Sequence, residues 1–168
     1  MLNRQNRLKL RGAVATVCFL LFLSASFAAS TTSSFTTQVT IAASCTINSA
    51  STLNFGSQGV FTANVDQTST IQVQCTNTTP YNIGLDAGTG TGATVAVRKM
   101  TSGGVTVNYT LYSDSLRTTV WGTTIGTNTV AATGNGAAQS YTVYGRIPAQ
   151  TTPAPGTYAD TVTVTVTY

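Results

Sequence analysis

No histidine occurs anywhere in the 168 residues. That absence removes the base that usually activates a serine nucleophile, although serines are plentiful. With no CxxC pair either, it also removes the usual makings of a metal site. Charge is scarce as well: eight Lys and Arg and four Asp and Glu make up 7% of the chain. The four carboxylates, Asp66, Asp86, Asp114 and Asp160, are isolated in sequence. Two of them, Asp114 and Asp160, could be imagined as an acid/base pair, but lone aspartates in such a chain are expected to serve turns and caps. Tryptophan is represented by Trp121 alone. Helix signals are nearly missing after Ala28. The glycine-rich run from Gly88 to Gly92 lacks the Lys-Ser or Lys-Thr of a phosphate loop and precedes no helix, so it reads as a hairpin loop. No catalytic, cofactor-binding or metal-binding residue is assigned, no small-molecule substrate is expected, and the chain is not expected to be an enzyme.

What is present at the N-terminus is an export signal. Arg4, Arg7, Lys9 and Arg11 form a basic stretch, Ala13 to Leu23 an apolar run, and Ser26-Phe27-Ala28 a small-residue cleavage site. The apolar run is well short of the ~20 residues that a membrane span needs. Residues 1–28 are therefore expected to be a signal peptide, which places the mature chain outside the cytoplasm. Its removal leaves Arg98, Lys99, Arg117 and Arg146 facing the four aspartates, a net charge of zero. No nucleic-acid or anionic-membrane footprint remains, and so few charges present little barrier to self-association. Cys18 leaves with the signal, and Cys45 and Cys75 remain as an even pair in an exported chain, for which a disulfide is expected. Closing a loop of that length stabilises by roughly 3–4 kcal/mol.

The mature chain is rich in Thr, Val, Ser, Ala, Gly and Asn, which favours strands and turns. Alternation predicts strands at Thr52–Gly56, Thr68–Thr76, Tyr81–Asp86, Val95–Val97, Val105–Tyr112, Gln139–Ile147 and Thr157–Tyr168. About seven short half-polar strands between Gly-, Asn- and Ser-rich turns argue for an antiparallel sandwich of two sheets, each with one wet face. One further strand stands apart. In Phe35–Ala43, Phe35, Thr37, Val39, Ile41 and Ala43 share one parity, and Thr36, Gln38, Thr40 and Ala42 hold the other. No turn folds this segment back as a hairpin. A half-apolar strand there needs a sheet edge, and the edge expected is that of another copy of the protein.

Several motifs resemble a known family. Cys45, Leu53-Asn-Phe-Gly56 and Ile71-Gln-Val-Gln-Cys75 are similar to the first half of a spore coat U domain. Tyr109-Thr-Leu-Tyr-Ser-Asp114 with Trp121-Gly122 resembles its middle, and Tyr144-Gly-Arg-Ile-Pro148 and Gly156 to Tyr168 its end. That family includes subunits of archaic, Csu-type chaperone–usher pili and spore-coat proteins. The resemblance implies an all-β, incomplete immunoglobulin-like sandwich completed by donor-strand complementation. It implies a donor extension at 29–44 and a sandwich domain at 45–168. Phe35, Thr37, Val39, Ile41 and Ala43 would be the donor plugs, and Val162, Val164, Val166 and Tyr168 the acceptor edge on which the chain ends. Implied partners are other pilin subunits in a head-to-tail polymer, a periplasmic chaperone and an outer-membrane usher. The implied location is periplasmic during assembly and then the cell surface, with roles in adhesion and biofilm formation. A secreted coat or matrix protein of the same fold is the alternative. A tip adhesin would be expected to carry a second domain, for which the chain has no room.

Overall fold

The computed structural model describes residues 27–168. The proposed signal peptide thus falls almost entirely outside the described residues. Two units are distinguished, with the division between Val39 and Thr40. In the first, residues 27–39 carry no regular secondary structure. The second holds eight strands: β1 Cys45–Ala50, β2 Val65–Cys75, β3 Pro80–Leu85, β4 Arg98–Ser102, β5 Val105–Tyr112, β6 Val130–Thr133, β7 Ala138–Ile147 and β8 Val164–Thr167. No helix occurs among the described residues.

The strands form two antiparallel sheets, of order β1-β2-β7-β5-β4 and β6-β3-β8. Period-two alternation supplies the apolar face of each. Ile71, Val73 and Cys75 on β2, Val107, Tyr109 and Leu111 on β5, and Val143 and Ile147 on β7 meet Tyr81, Ile83 and Leu85 of β3 in one buried core. The threonines and glutamines between them face water, so each sheet has one wet side. Trp121 joins the two layers: its backbone N–H donates to Leu111 O at 2.9 Å, and its indole Nε1 to Ile83 O at 2.8 Å.

β2, β3, β5 and β7 lie close to the ranges that alternation predicts. Five other segments differ. Thr52–Gly56 is not a strand but an irregular segment. Leu53 and Phe55 still point inward, because they pack across β7 where Gly145 leaves room; a Cβ there would collide with Leu53 Cδ2. The strand expected at Val95–Val97 begins instead at Arg98, whose side chain takes an inward position. β1 and β6 are additional strands, and in β1 a bulge between Ile47 and Ser49 breaks the alternation. The last strand is shorter than the alternating run, since Ala159 bridges to Thr101 of β4 before the chain crosses to pair with β3.

Candidate functional site

β8 has a strand neighbour on one side only, β3. Along it, Val166 is registered with Ile83 and Val164 with Leu85. Ile83 and Leu85 are fully buried, yet Val162, Val164 and Val166 on the same inward parity are only half-buried. The difference lies in the missing neighbour, because an inward side chain on an edge strand is shielded on one flank alone. Across the opening stands β1, which approaches β8 without forming a ladder. Ile47 shows the same deficit: it is registered with the fully buried Val73 but is 38% exposed itself.

The opening runs down to the core. One cleft of about 520 Å³ is walled by Ala50–Phe55 on one side and Tyr158–Val162 with Val164 on the other. Ile71, Leu111 and Val143 form its floor. A second cleft of about 550 Å³ shares Leu53, Asn54, Phe55, Met100 and Tyr158 with the first. Volumes of this order also suit small ligands. Such sites rely on polar groups aimed at the occupant, and Asp160, the carboxylate lining the first cleft, is already engaged within the protein. Its Oδ2 accepts from Tyr109 Oη at 2.7 Å, and its Oδ1 from the N–H groups of Thr89 and Thr161 and from Thr89 Oγ1 at 2.7, 2.8 and 2.9 Å. Burial, and next the bond to Asp160, push the Tyr109 hydroxyl far above its ordinary range, so it stays a neutral donor. What the first cleft offers is apolar floor beside an unpaired strand edge, which suits an extended peptide.

Arg98 ties the end of β3 to the loop before β4 and the segment after β5. Its guanidinium is wholly buried and donates to the carbonyls of Asp86, Val95, Leu85 and Trp121 at 2.8, 2.8, 3.0 and 2.7 Å. Burial draws its pKa downward. The Asp86 carboxylate accepts from the N–H groups of Gly88 and Thr163, both at 2.9 Å. Burial opposes its charged form, but those hydrogen bonds prevail and hold it below the usual carboxylate range.

Cys45 and Cys75 are joined as the sequence leads one to expect, with their Cα atoms 4.1 Å apart in directly opposed register. Beside them Thr76 N donates to Ser44 O at 2.9 Å, and Ser44 N to Thr76 Oγ1 at 3.1 Å. The point where β1 begins is therefore fastened both covalently and by hydrogen bonds. Before it, residues 27–44 form no ladder. Phe35, Val39 and Ile41 are 89%, 82% and 79% exposed, and Thr37 and Ala43 are exposed too. Tyr168, expected at the acceptor edge, is 60% exposed.

The roles of Asp160, Arg98 and the Tyr109 hydroxyl are not legible in sequence. Asp160 stands among threonines like a turn residue, and Arg98 looks like one of four surface cations. Their partners come from distant strands and loops. For Leu53 and Phe55 the alternation does give the inward parity, though not the irregular backbone.

Comparison with known proteins agrees with the architecture. The chain is 33% identical over 171 residues to Protein U of Myxococcus xanthus, covering 93% of this chain and 95% of that protein. Its fold is similar to a chain of the CsuC–CsuE chaperone–tip adhesion subunit pre-assembly complex from the archaic chaperone–usher Csu pili of Acinetobacter baumannii, with a TM-score of 0.56 and 28% identity. That likeness covers 77% of this chain and 40% of that one, so the chain spans less than half of that solved neighbour. The Spore Coat Protein U domain model matches residues 31–165, and with an antiparallel two-sheet sandwich over that span the chain belongs to the Spore Coat Protein U domain family.

Proposed function

We propose that this protein is a structural subunit of a surface pilus, exported through the periplasm and assembled by the chaperone–usher route. Its open sandwich accepts the Phe35–Ala43 segment of another subunit beside β8. Before that, a periplasmic chaperone covers the same edge, and an outer-membrane usher hosts the exchange. The observation that carries this reading is the pairing of two deficits in one chain. An apolar-floored opening lies beside an unpaired strand, and an alternating segment bears three large exposed apolar side chains. Inserting Phe35, Val39 and Ile41 stabilises by roughly 5–8 kcal/mol before the cost of ordering the strand. A donor given to the next subunit rather than returned makes a head-to-tail contact, and repetition of that contact builds an open filament. The chain acts as a building element rather than an enzyme, and adhesion and biofilm formation follow from the filament it builds.

A secreted coat or matrix protein assembling by the same exchange is the second reading. What favours it is the match of residues 31–165 to the Spore Coat Protein U domain. Electron microscopy of producing cells tests the assembly itself: Val39→Asp and Ile41→Asp should abolish filaments while leaving the subunit folded with its chaperone. Persistence of long fibres in both variants overturns the proposal. Loss of a continuous surface layer, instead of filaments, favours the coat reading.

A further inference from the structure

The first cleft has Ile71 and Leu111 at its floor and Val162 and Val164 along one wall. Between Ala159 and β8 the chain leaves one sheet for the other. Ala159 exchanges two backbone hydrogen bonds with Thr101 of β4, at 2.8 and 3.2 Å, and four residues later Thr163 bonds reciprocally with Asp86 at the end of β3. Asp160 sits at the start of this crossing and reaches in two directions. One oxygen fastens the 88–89 loop, and the other takes the hydroxyl of Tyr109, whose ring lies 6.3 Å from that of Phe55 in the opposite wall. Gly88 is packed so closely on this carboxylate that a Cβ there would overlap its oxygens.

We infer that Asp160, through the Tyr109 hydroxyl, is a positioning residue that keeps the acceptor groove shaped for its strand before the strand arrives. Asp160 anchors the start of the crossing segment to the 88–89 loop and to Tyr109, and Val162 and Val164 beyond it line the first cleft. A groove anchored in this way would have less left to order when its strand binds. The inference rests on the donor-strand reading above and adds a residue to it. It concerns only the part of the groove that Asp160 and Tyr109 shape, so its effect falls on one donor side chain more than on the others.

The test uses the full mature chain and a fluorescent synthetic peptide of residues 35–43, with three further peptides carrying Phe35→Ala, Val39→Ala or Ile41→Ala. The variants are Asp160→Asn and, as a milder change that removes a single hydroxyl, Tyr109→Phe. Trp121 emission reports that each remains folded. Both variants are expected to bind the unaltered peptide about tenfold more weakly, the loss of one charge-assisted hydrogen bond. In both, the penalty for one of the three alanine peptides should shrink while the other two penalties persist. Unchanged affinity in Tyr109→Phe and Asp160→Asn overturns the inference. So does an equal weakening that keeps all three penalties, which marks a general loss of stability. If the unaltered chain takes up no peptide at all, the donor-strand reading itself fails.

Discussion

Replacing Ile41 with alanine separates donation from folding. In the isolated subunit Ile41 is 79% exposed, so its truncation removes little buried area and should leave unfolding stability within about 0.5 kcal/mol of the parent. In the proposed polymer the same side chain would fill an apolar cleft. Truncation to alanine removes three carbons, and at about 0.8 kcal/mol per buried methylene the loss is about 2 kcal/mol per joint. That corresponds to roughly a thirtyfold weaker joint. Thr40, one residue away, lies on the opposite parity and faces water in the same register, so Thr40→Ala should change the joint less than about twofold. The assay is the concentration of free subunit in equilibrium with polymer, read by sedimentation after assembly reaches steady state. Equal effects of the two substitutions, or a larger one at Thr40, would refute the register and with it the identification of the plugs.

Other expectations follow from the body of the subunit. Cys45→Ser opens a loop closed between residues 30 positions apart and should cost roughly 3–4 kcal/mol in urea melts; a cost below about 1 kcal/mol would show that the bond contributes little. Arg98→Met leaves the carbonyls of Asp86, Val95, Leu85 and Trp121 without their buried donor and should cost at least about 3 kcal/mol, or prevent folding. Lys99→Met on the same strand should be nearly neutral, and similar losses at both positions would contradict this account. Asp66 is held below the usual carboxylate range, first by the hydrogen bonds from Arg146 at 2.7 and 2.8 Å and then by the charge of Arg117. A depressed folded-state pKa means that its contribution is complete above the unfolded value of about 3.9 and disappears as pH falls through the folded one. Melts between neutral pH and pH 2 should therefore show Asp66→Asn losing less stability in acid than the parent, and parallel losses would contradict the assignment.

The central strands were legible because each is half-buried, and a half-buried strand must alternate. In β5 every second residue from Val107 to Leu111 is core. Legibility stopped where alternation was interrupted or where its cause was remote. In β1 the bulge after Ile47 shifts the inward set to Cys45, Ile47 and Ala50, a pattern with no fixed period. β6 spans only Val130–Thr133, too short to rise above its loop. β4 turns inward a buried arginine where the alternation of Val95 and Val97 suggested apolar residues. Leu-Asn-Phe-Gly has strand parity, but its backbone is bent by packing over Gly145, which lies about ninety residues further on. Of the groove, the valines of the last strand could be read as an inward-facing row. The Asp160–Tyr109 contact could not, because it joins residues 51 positions apart, and alternation turns the Tyr109 ring inward without naming a partner for its hydroxyl.

A single cross-linking measurement bears most directly on strand exchange between copies. Isotopically heavy subunits carrying a photo-reactive residue at position 41 are mixed with light, unmodified subunits, allowed to assemble, irradiated and read by mass spectrometry. Heavy-to-light links from position 41 to Ile71, Leu111 or Val164 are expected. Links confined to the heavy chain's own groove, or none to the groove in assembled material, would contradict the account.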